Sequence, residues 1–192
     1  MTDNSSIDLS VANIWRAYLD FRRGKKSSLQ IREFEADLLN NIQALAADLQ
    51  GGTYRHGSYV HMIVNDNKRR DIAVATVRDR VVHRLLYNYL VPIFDKHFIY
   101  DAWSCRKGKG LHAALARAEY FTQKYHDYWV WRCDITKFFD FVDTDVLKYL
   151  IGRKIEPGKV FDLVTIVIDS YGSGGGTYWE PNQPALCQYL SS

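Results

Sequence analysis

The chain has 192 residues, and 25 Lys and Arg against 22 Asp and Glu give it a formal net charge of +3. With 47% hydrophobic and 14% aromatic residues, the composition suits one globular domain, or one domain and part of a second, and excludes a disordered or fibrous chain. No apolar run approaches the roughly 20 residues that span a bilayer, and the polar first ten residues lack a signal-peptide core, so we expect a cytoplasmic protein without a membrane segment. The three cysteines, Cys105, Cys133 and Cys187, are far apart, which argues against a disulfide framework or a cysteine zinc site.

Hydrophobic periodicity in the first half of the chain predicts mostly helices. Helices are expected over 8–22 and 29–49, the second ended by two glycines. A strand over 59–64 and a polar turn lead to residues 71–75, which are expected to pair back as a hairpin. A helix over 78–90 follows, with Pro92 as its stop.

The second half of the chain is also predicted to be mostly helical, with few strands, and this order of elements gives the class α+β. A helix is expected over 111–125, with five positions facing inward: Leu111, Ala114, Leu115, Ala118 and Phe121. Residues 128–135, rich in aromatic and β-branched side chains, have the best strand pattern in the chain. Helices are predicted over 144–151, with Asp143 as N-cap, and over 159–170. The glycine-rich and polar residues 172–192 are typical of an irregular tail.

Charge is unevenly distributed. Residues 68–84 hold six basic and two acidic side chains, a net of +4; residues 96–117 hold five and one, again +4. Residues 132–145 hold two basic and four acidic side chains, a net of −2. This order suits a chain that holds a polyanion near a divalent metal, and it also suits three ordinary solvated faces.

Asp134 comes near the end of the predicted strand 128–135. Because a buried carboxylate needs a compensating partner, we expect a cation, a metal ion or a helix N-terminus beside it. A cap or an ion pair with Lys137 is the plain structural alternative.

Six short blocks, spread over roughly residues 12–170, resemble the bacterial and phage retron-type reverse transcriptases, particularly those of diversity-generating retroelements and their group II intron relatives. The blocks are residues 15–26, 34–35 with 52–57, 78–83, 90–98, 104–114 and 134–139. Residues 104–114 resemble the family's Arg-x-Gly-Lys-Gly-x-His-x-Ala pattern, and residues 134–139 resemble its first catalytic palm strand.

The resemblance implies the fingers and the first part of the palm of a right-hand polymerase, with thumb and catalytic hairpin absent. The implied division is an N-terminal helix over 1–27, fingers over 28–127, a first palm segment over 128–171 and the tail over 172–192. The implied activity is RNA-directed DNA polymerisation on an RNA template with a DNA or RNA primer and deoxynucleoside triphosphates, with two Mg²⁺ ions in the complete site.

The resemblance also assigns residues. Asp134 would be one magnesium ligand and catalytic residue, with the carbonyl of Ile135 as a second contact. Arg70 and Lys68 would clamp the triphosphate, and Phe139 would be the aromatic steric gate under the nucleotide sugar, although core packing is the alternative for Phe138 and Phe139. Nucleic-acid contacts are implied for the basic residues Arg80, Arg106 and Lys109, the last two being otherwise part of a solvated turn.

The family needs two further carboxylates from a Tyr/Phe-x-Asp-Asp hairpin, and this chain contains no Asp-Asp dipeptide. If one nucleotide is dropped from the codons of residues 177–190, all fourteen displaced triplets can encode Pro-Ile-Gly-Asn-Leu-Thr-Ser-Gln-Leu-Phe-Ala-Asn-Ile-Tyr. That is the turn and helix that the family has at this place. The codons therefore predict a one-nucleotide slip at 174–176 that puts the tail out of frame.

Two further functional readings stay open beside the polymerase fragment. One is a nucleic-acid-binding module without chemistry, and the other is an accessory or defence protein derived from a reverse transcriptase. In all three, the chain alone is expected not to polymerise. An unpaired apolar strand at 129–135 is expected to make it aggregate or depend on an accessory partner protein.

Overall fold

The computed structural model describes residues 6–65, 69–136 and 138–172, and at residues 64, 69–71, 139, 140 and 172 it describes the main chain alone. The described elements are seven helices, one antiparallel strand pair and two short 3-10 turns. In chain order they are α1 (Val11–Arg22), α2 (Leu29–Ala36), α3 (Leu38–Gly51), β1 (Val60–Asn65), β2 (Arg69–Val74), α4 (Val77–Phe94), a turn at Asp95–His97, α5 (Leu111–Lys124), a turn at Phe138–Phe141, α6 (Thr144–Gly152) and α7 (Lys159–Gly172).

Helix α1 confirms the first predicted helix and starts three residues later than predicted. The side chain of Ser10 accepts a hydrogen bond from the N–H of Asn13 and caps the first turn. Ile14, Tyr18 and Phe21 are buried on one stripe, as the periodicity predicts.

The long helix predicted over 29–49 is wrong in one respect, because it is two helices that meet at Asp37. Asp37 has φ −134° and ψ 47°, outside the helical region. The side-chain amide of Asn41 donates to the carbonyl of Phe34, and that of Asn40 donates to Asp37 Oδ1. These side chains replace main-chain bonds of a continuous helix and so stabilise the break.

The predicted hairpin is confirmed. β1 and β2 pair antiparallel with Val60 opposite Val74 and Ile63 opposite Asp71, and the turn between them lies outside the described residues. Ile72, Ala73 and Val74 are buried, whereas Val60 and Met62 are half exposed. One strand of the hairpin thus lies against the body of the protein, and the other lies outside it.

Helix α4 runs through Pro92 and ends at Phe94, so the predicted stop at Pro92 is wrong. Proline costs a helix one main-chain hydrogen bond, and at this place the helix lasts only two residues longer before the 3-10 turn begins. Its buried side chains include Val81, Val82, Leu85 and Leu86.

The last three helices form where the sequence predicts them. Asp143 caps α6 by accepting from the N–H groups of Asp145 and Val146, which confirms the predicted N-cap. Helix α5 has no buried residue, however, so its predicted inward stripe is wrong: Leu111 is 71% and Leu115 57% exposed.

One hydrophobic core joins α1, α3, α4 and α7, with single contributions from neighbouring segments such as Ile31, Tyr54 and Ile151. Helix α1 and helix α7 therefore pack in the same core as the predicted fingers. From residue 103 to residue 150, none of the described residues is buried. None of the described helices combines the length and the apolar character needed to cross a membrane.

Candidate functional site

Asp134, the predicted magnesium ligand, lies in a segment over 129–135 that is neither helix nor strand, so the strand predicted over 128–135 is wrong. A strand is stabilised by main-chain bonds to a neighbouring strand, and the two strands in the described ranges pair with each other. The Asp134 carboxylate is exposed, and its Oδ1 accepts from the N–H of Ile135 at 2.9 Å. Because the Asp134 carboxylate is exposed to solvent, it does not need the cation, metal ion or helix N-terminus that a buried carboxylate would require.

Asp134 and the carbonyl of Ile135 are the two predicted magnesium contacts. Among the residues that the structure describes, no group of three or more His, Cys, Asp or Glu side chains is placed to hold a metal ion. Mg²⁺ in a two-metal site takes several carboxylate oxygens from rigid elements. One exposed carboxylate with one carbonyl does not meet that requirement by itself and is only part of the implied site.

The predicted nucleotide contacts fall mostly beyond what the structure describes. Lys68 lies outside the described residues. The main chain of Arg70 lies in β2 opposite Val64, and that of Phe139 lies in the 3-10 turn Phe138–Phe141. The positions of these two side chains are not described, so their roles stay predictions.

Arg106, a predicted phosphate contact, instead closes the loop that follows α4. Its Nε donates to Asp95 Oδ1 at 2.7 Å, and its Nη2 donates to Asp95 Oδ2 at 3.4 Å and to the Asp95 carbonyl at 3.1 Å. Its Nη1 donates to the carbonyls of Ile99 and Ala102 at 3.0 and 3.1 Å. All five guanidinium donors bond within this loop, so Arg106 stabilises it. The nucleic-acid contact predicted for Arg106 stays a prediction.

Lys109 belongs to a group of cations and aromatic rings that we call the cation–aromatic cluster. Its ammonium donates to the Tyr100 carbonyl and lies 4.0 Å from the Tyr100 ring centroid and 4.6 Å from that of Trp103. The Arg117 guanidinium lies 4.4 Å from the ring centroid of Phe121. The cluster consists of Tyr100, Trp103, Lys109, Arg117, Tyr120, Phe121, Lys124 and Tyr125.

Two observations describe the electrostatics of this cluster. Arg117 Nε donates to Asp101 Oδ1 at 2.8 Å, and this hydrogen bond holds the pKa of Asp101 below its usual value. Tyr120 and Tyr125 raise the pKa of Lys124, so this ammonium stays charged well above neutral pH. The rings keep exposed faces, since Tyr100 is 66%, Tyr120 46% and Tyr125 44% exposed.

Arg80, the third predicted nucleic-acid contact, is half-buried beside the core. Its guanidinium lies 5.2 Å from the Phe21 ring centroid, and Nη2 donates to Gln30 Oε1 at 3.3 Å. It thus connects α4 to α1 and α2. The packing of its stem contributes to the fold whatever else the head group binds.

Sequence reasoning missed Asp79, a buried carboxylate in the first turn of α4 that is 1% exposed. The Tyr54 hydroxyl donates to its Oδ1 at 2.7 Å, the Thr76 hydroxyl donates to Oδ2 at 2.6 Å, and the Gly57 N–H donates to Oδ2 at 3.2 Å. Burial, and then the charge of Asp79, raises the pKa of the Tyr54 phenol. A Cβ on Gly57 would lie 3.0 Å from Asp79 Oδ2, so the loop approaches the carboxylate closely at this glycine.

The same loop contacts α4 again through a histidine pair. His56 Nε2 lies 3.1 Å from His83 Nε2, and His56 Nδ1 lies 2.7 Å from the carbonyl of Gly57. Because a carbonyl only accepts, Nδ1 of His56 carries a proton and its Nε2 accepts from His83 when both rings are neutral. Residues 52–57 and 78–83, two of the blocks that carry the resemblance, are thus held together by polar contacts. The sequence signal for these residues was their position in the two blocks, because Gly57 and His56 lie in the first block and Asp79 and His83 lie in the second.

The structure thus brings some of the predicted site residues together and leaves others apart. Arg106 and Lys109 share the loop between α4 and α5. In the described ranges, Asp134 makes no hydrogen bond or ion pair with either of them. The chain matches no protein-family model and no curated protein.

Proposed function

We propose that this chain is the fingers and the first palm segment of an RNA-directed DNA polymerase, acting on an RNA template with a DNA or RNA primer in the cytoplasm. The cation–aromatic cluster is the observation that carries the nucleic-acid part of this proposal. Exposed rings interleaved with cations are typical of surfaces on which single-stranded bases stack while phosphates meet positive charge.

The contacts between sequence blocks also support the proposal. Residues 52–57 bond to residues 78–83 through Asp79, and residues 90–98 bond to residues 104–114 through the pair Asp95 and Arg106. Four of the six resembling blocks are therefore joined in two pairs in space.

In this proposal Asp134 and Ile135 belong to the metal-binding side of the palm, Arg70, Lys68 and Phe139 belong to the nucleotide side, and Lys109 belongs to the nucleic-acid side. Because the sequence has no Asp-Asp dipeptide, the 192-residue polypeptide supplies too few carboxylates for nucleotidyl transfer. We therefore expect it to bind nucleic acid without extending a primer, which is also the behaviour of a binding module derived from a reverse transcriptase.

Binding is tested by fluorescence anisotropy with a labelled single-stranded RNA at two salt concentrations. Replacing Tyr120 and Tyr125 together by Ala should weaken binding about tenfold or more, since each base–aromatic stack contributes about 1–3 kcal/mol. Tyr149→Ala is the matched control, because Tyr149 is 66% exposed on α6, outside the cluster. Equal losses in both variants would overturn the assignment of the cluster.

Two further measurements test the polymerase lineage. Primer extension with Mg²⁺ by the purified 192-residue chain is expected to give no product, and metal-dependent incorporation would overturn that expectation. Reading the DNA beyond residue 192 in the alternate frame should reveal a Tyr/Phe-x-Asp-Asp motif. Its absence there would contradict the reverse transcriptase assignment without touching the binding result.

A further inference from the structure

Residues 128–136, here called the exposed segment, carry large apolar side chains that nothing in the described part of the chain covers. Tyr128 is 75%, Trp129 100% and Trp131 85% exposed. At about 200 Å² for each aromatic side chain, these three rings alone present about 500 Å². The largest apolar patch on a typical monomer measures about 300–600 Å² and often marks an interaction site.

The exposed segment alternates in character from residue 131 onward, after a run of aromatic and apolar residues at 128–130. The odd positions Trp131, Cys133 and Ile135 are apolar, and the even positions Arg132 and Asp134 carry opposite charges. In an extended conformation one face of the segment would be apolar and the other would carry the two charges. A strand with this pattern needs a partner strand and a surface over its apolar face.

The two charges are placed symmetrically about Cys133. If two copies of the segment pair antiparallel with Cys133 opposite itself, Arg132 of each copy lies opposite Asp134 of the other. In the same register Trp131 lies opposite Ile135, an aromatic and β-branched pair of the kind favoured across strands. A shift of register by one residue would remove both charge pairs and move the apolar side chains to different faces.

We propose that a second copy of this chain covers the exposed segment, forming a two-stranded antiparallel ribbon with Cys133 on the two-fold axis. This inference goes beyond the proposed function, and it assigns Asp134 to an ion pair in the 192-residue chain, which by itself supplies too few carboxylates for a two-metal site. The charge pattern favours a second copy over a nucleic acid, because Arg132 and Asp134 leave the segment with no net charge for a polyanion.

Trp129, Trp131 and Ile135 form the apolar face of such an interface, and two copies of the two tryptophans present about 700 Å². A specific protein interface buries about 1,000 Å² or more, so α5 has to supply the remainder. The ring contacts Phe121–Tyr125 and Tyr125–Tyr128 connect the exposed segment to α5. Leu111 and Leu115 of α5 are exposed as well and provide a helix surface on which a ribbon can pack.

Cysteine cross-linking tests the register. Cys105 and Cys133 are both free and exposed, so two single-cysteine variants can be compared. One keeps Cys133 (Cys105→Ser with Cys187→Ser), and the control keeps Cys105 (Cys133→Ser with Cys187→Ser). Diamide accepts two electrons and two protons from a pair of thiols, leaving a disulfide. Directly opposite residues have Cα atoms about 4.5–5.5 Å apart, which suits that bond. We expect rapid dimer formation through Cys133 and slow or no reaction through Cys105, and equal rates would overturn the proposal.

Charge reversal tests the pairing by sedimentation equilibrium, with no oxidant present. Arg132→Asp and Asp134→Arg should each raise the dissociation constant of the dimer about tenfold or more, because each reversal turns two attractive cross-strand pairs into repulsive ones. A mixture of the two single variants should recover a heterodimer, and the double variant should recover a homodimer. Both changes are at exposed positions, so the core should be unaffected.

Several outcomes would overturn the proposal. These are a monomer at all concentrations, open-ended aggregates in place of a dimer, or single reversals without rescue in the mixture. A monomer whose tryptophan fluorescence is quenched by single-stranded RNA only while Trp129 and Trp131 are present would also overturn it, because the segment would then belong to the nucleic acid.

Discussion

The packed helices and the region from residue 98 to residue 143 differ in how their side chains are used. In α1, α3, α4 and α7, apolar stripes are buried in one core, and a buried carboxylate at Asp79 is fully engaged. Between residues 98 and 143, which we call the arm, aromatic and apolar side chains are exposed and cations lie over rings. The contrast teaches that the core carries the fold, whereas the arm has the surface chemistry suited to binding.

The largest expected effect comes from comparing two leucines. Leu45 is fully buried in α3, so Leu45→Ala should lower the free energy of unfolding by about 2–5 kcal/mol. Leu115 is 57% exposed on α5, and Leu115→Ala should change it by about 0.5 kcal/mol or less. Urea denaturation measures both. Similar losses would mean that the arm packs as the core does.

The next largest effect is expected at Asp79. Asp79→Ala leaves three donors without their acceptor, the hydroxyls of Tyr54 and Thr76 and the Gly57 N–H, and should cost about 3 kcal/mol. Tyr54→Phe removes one of these bonds and should cost about 1 kcal/mol. Chemical denaturation gives the free energy of unfolding of both variants. If Asp79→Ala left this free energy unchanged, the hydrogen bonds to Asp79 would not be what holds the loop of Tyr54 and Gly57.

A smaller and local effect is expected within the arm. Arg106→Lys removes the planar group that bonds Asp95, Ile99 and Ala102 and should release the loop 95–106 at a local cost of about 1–2 kcal/mol. Amide hydrogen exchange at Phe98 and Ala102 should become faster, while the core amides stay unchanged. The exposed neighbour Lys107 provides the control, since Lys107→Ala should leave these amides as they are.

The smallest effect concerns acid. The Arg106 hydrogen bond holds the pKa of Asp95 below its usual value of 3.8. A lowered carboxyl pKa stabilises the folded loop above the unfolded value, and this contribution is lost as pH falls through the lowered folded pKa. Asp95 is 42% exposed, so solvent screens the pair and the change is modest. As pH is lowered, the NMR chemical shift of Arg106 Nε–H should move only below about pH 4, where protonation of Asp95 weakens the hydrogen bond. A midpoint of this shift above pH 5 would contradict the pairing.

Periodicity predicted the core helices and the hairpin because their side chains meet partners in a regular pattern. The strand predicted over 128–135 from aromatic and β-branched composition was wrong, because strong β propensity does not supply the second strand that a strand needs. Periodicity itself failed at Asp37, where side-chain amides of Asn40 and Asn41 compete with main-chain bonds.

In the candidate site, too, some residues were predicted from the sequence and others were not. Lys109 was predicted among cations near nucleic acid, but its contact with the rings of Tyr100 and Trp103 was not, because it depends on the conformation of the loop that holds all three. The structural role of Arg106 was not predicted, because its acceptors include three carbonyls, which no residue pattern reveals. Asp79 was missed because its partner Tyr54 lies 25 residues away.

Hydrogen-exchange mass spectrometry of the full chain, with and without a single-stranded RNA, distinguishes a binding surface in the arm from one in the helical core. We expect added protection from exchange within residues 98–125, which hold the cation–aromatic cluster and α5, and none in α1, α3 or α7. Protection confined to the core helices, or no protection at RNA concentrations that saturate binding, would contradict the account.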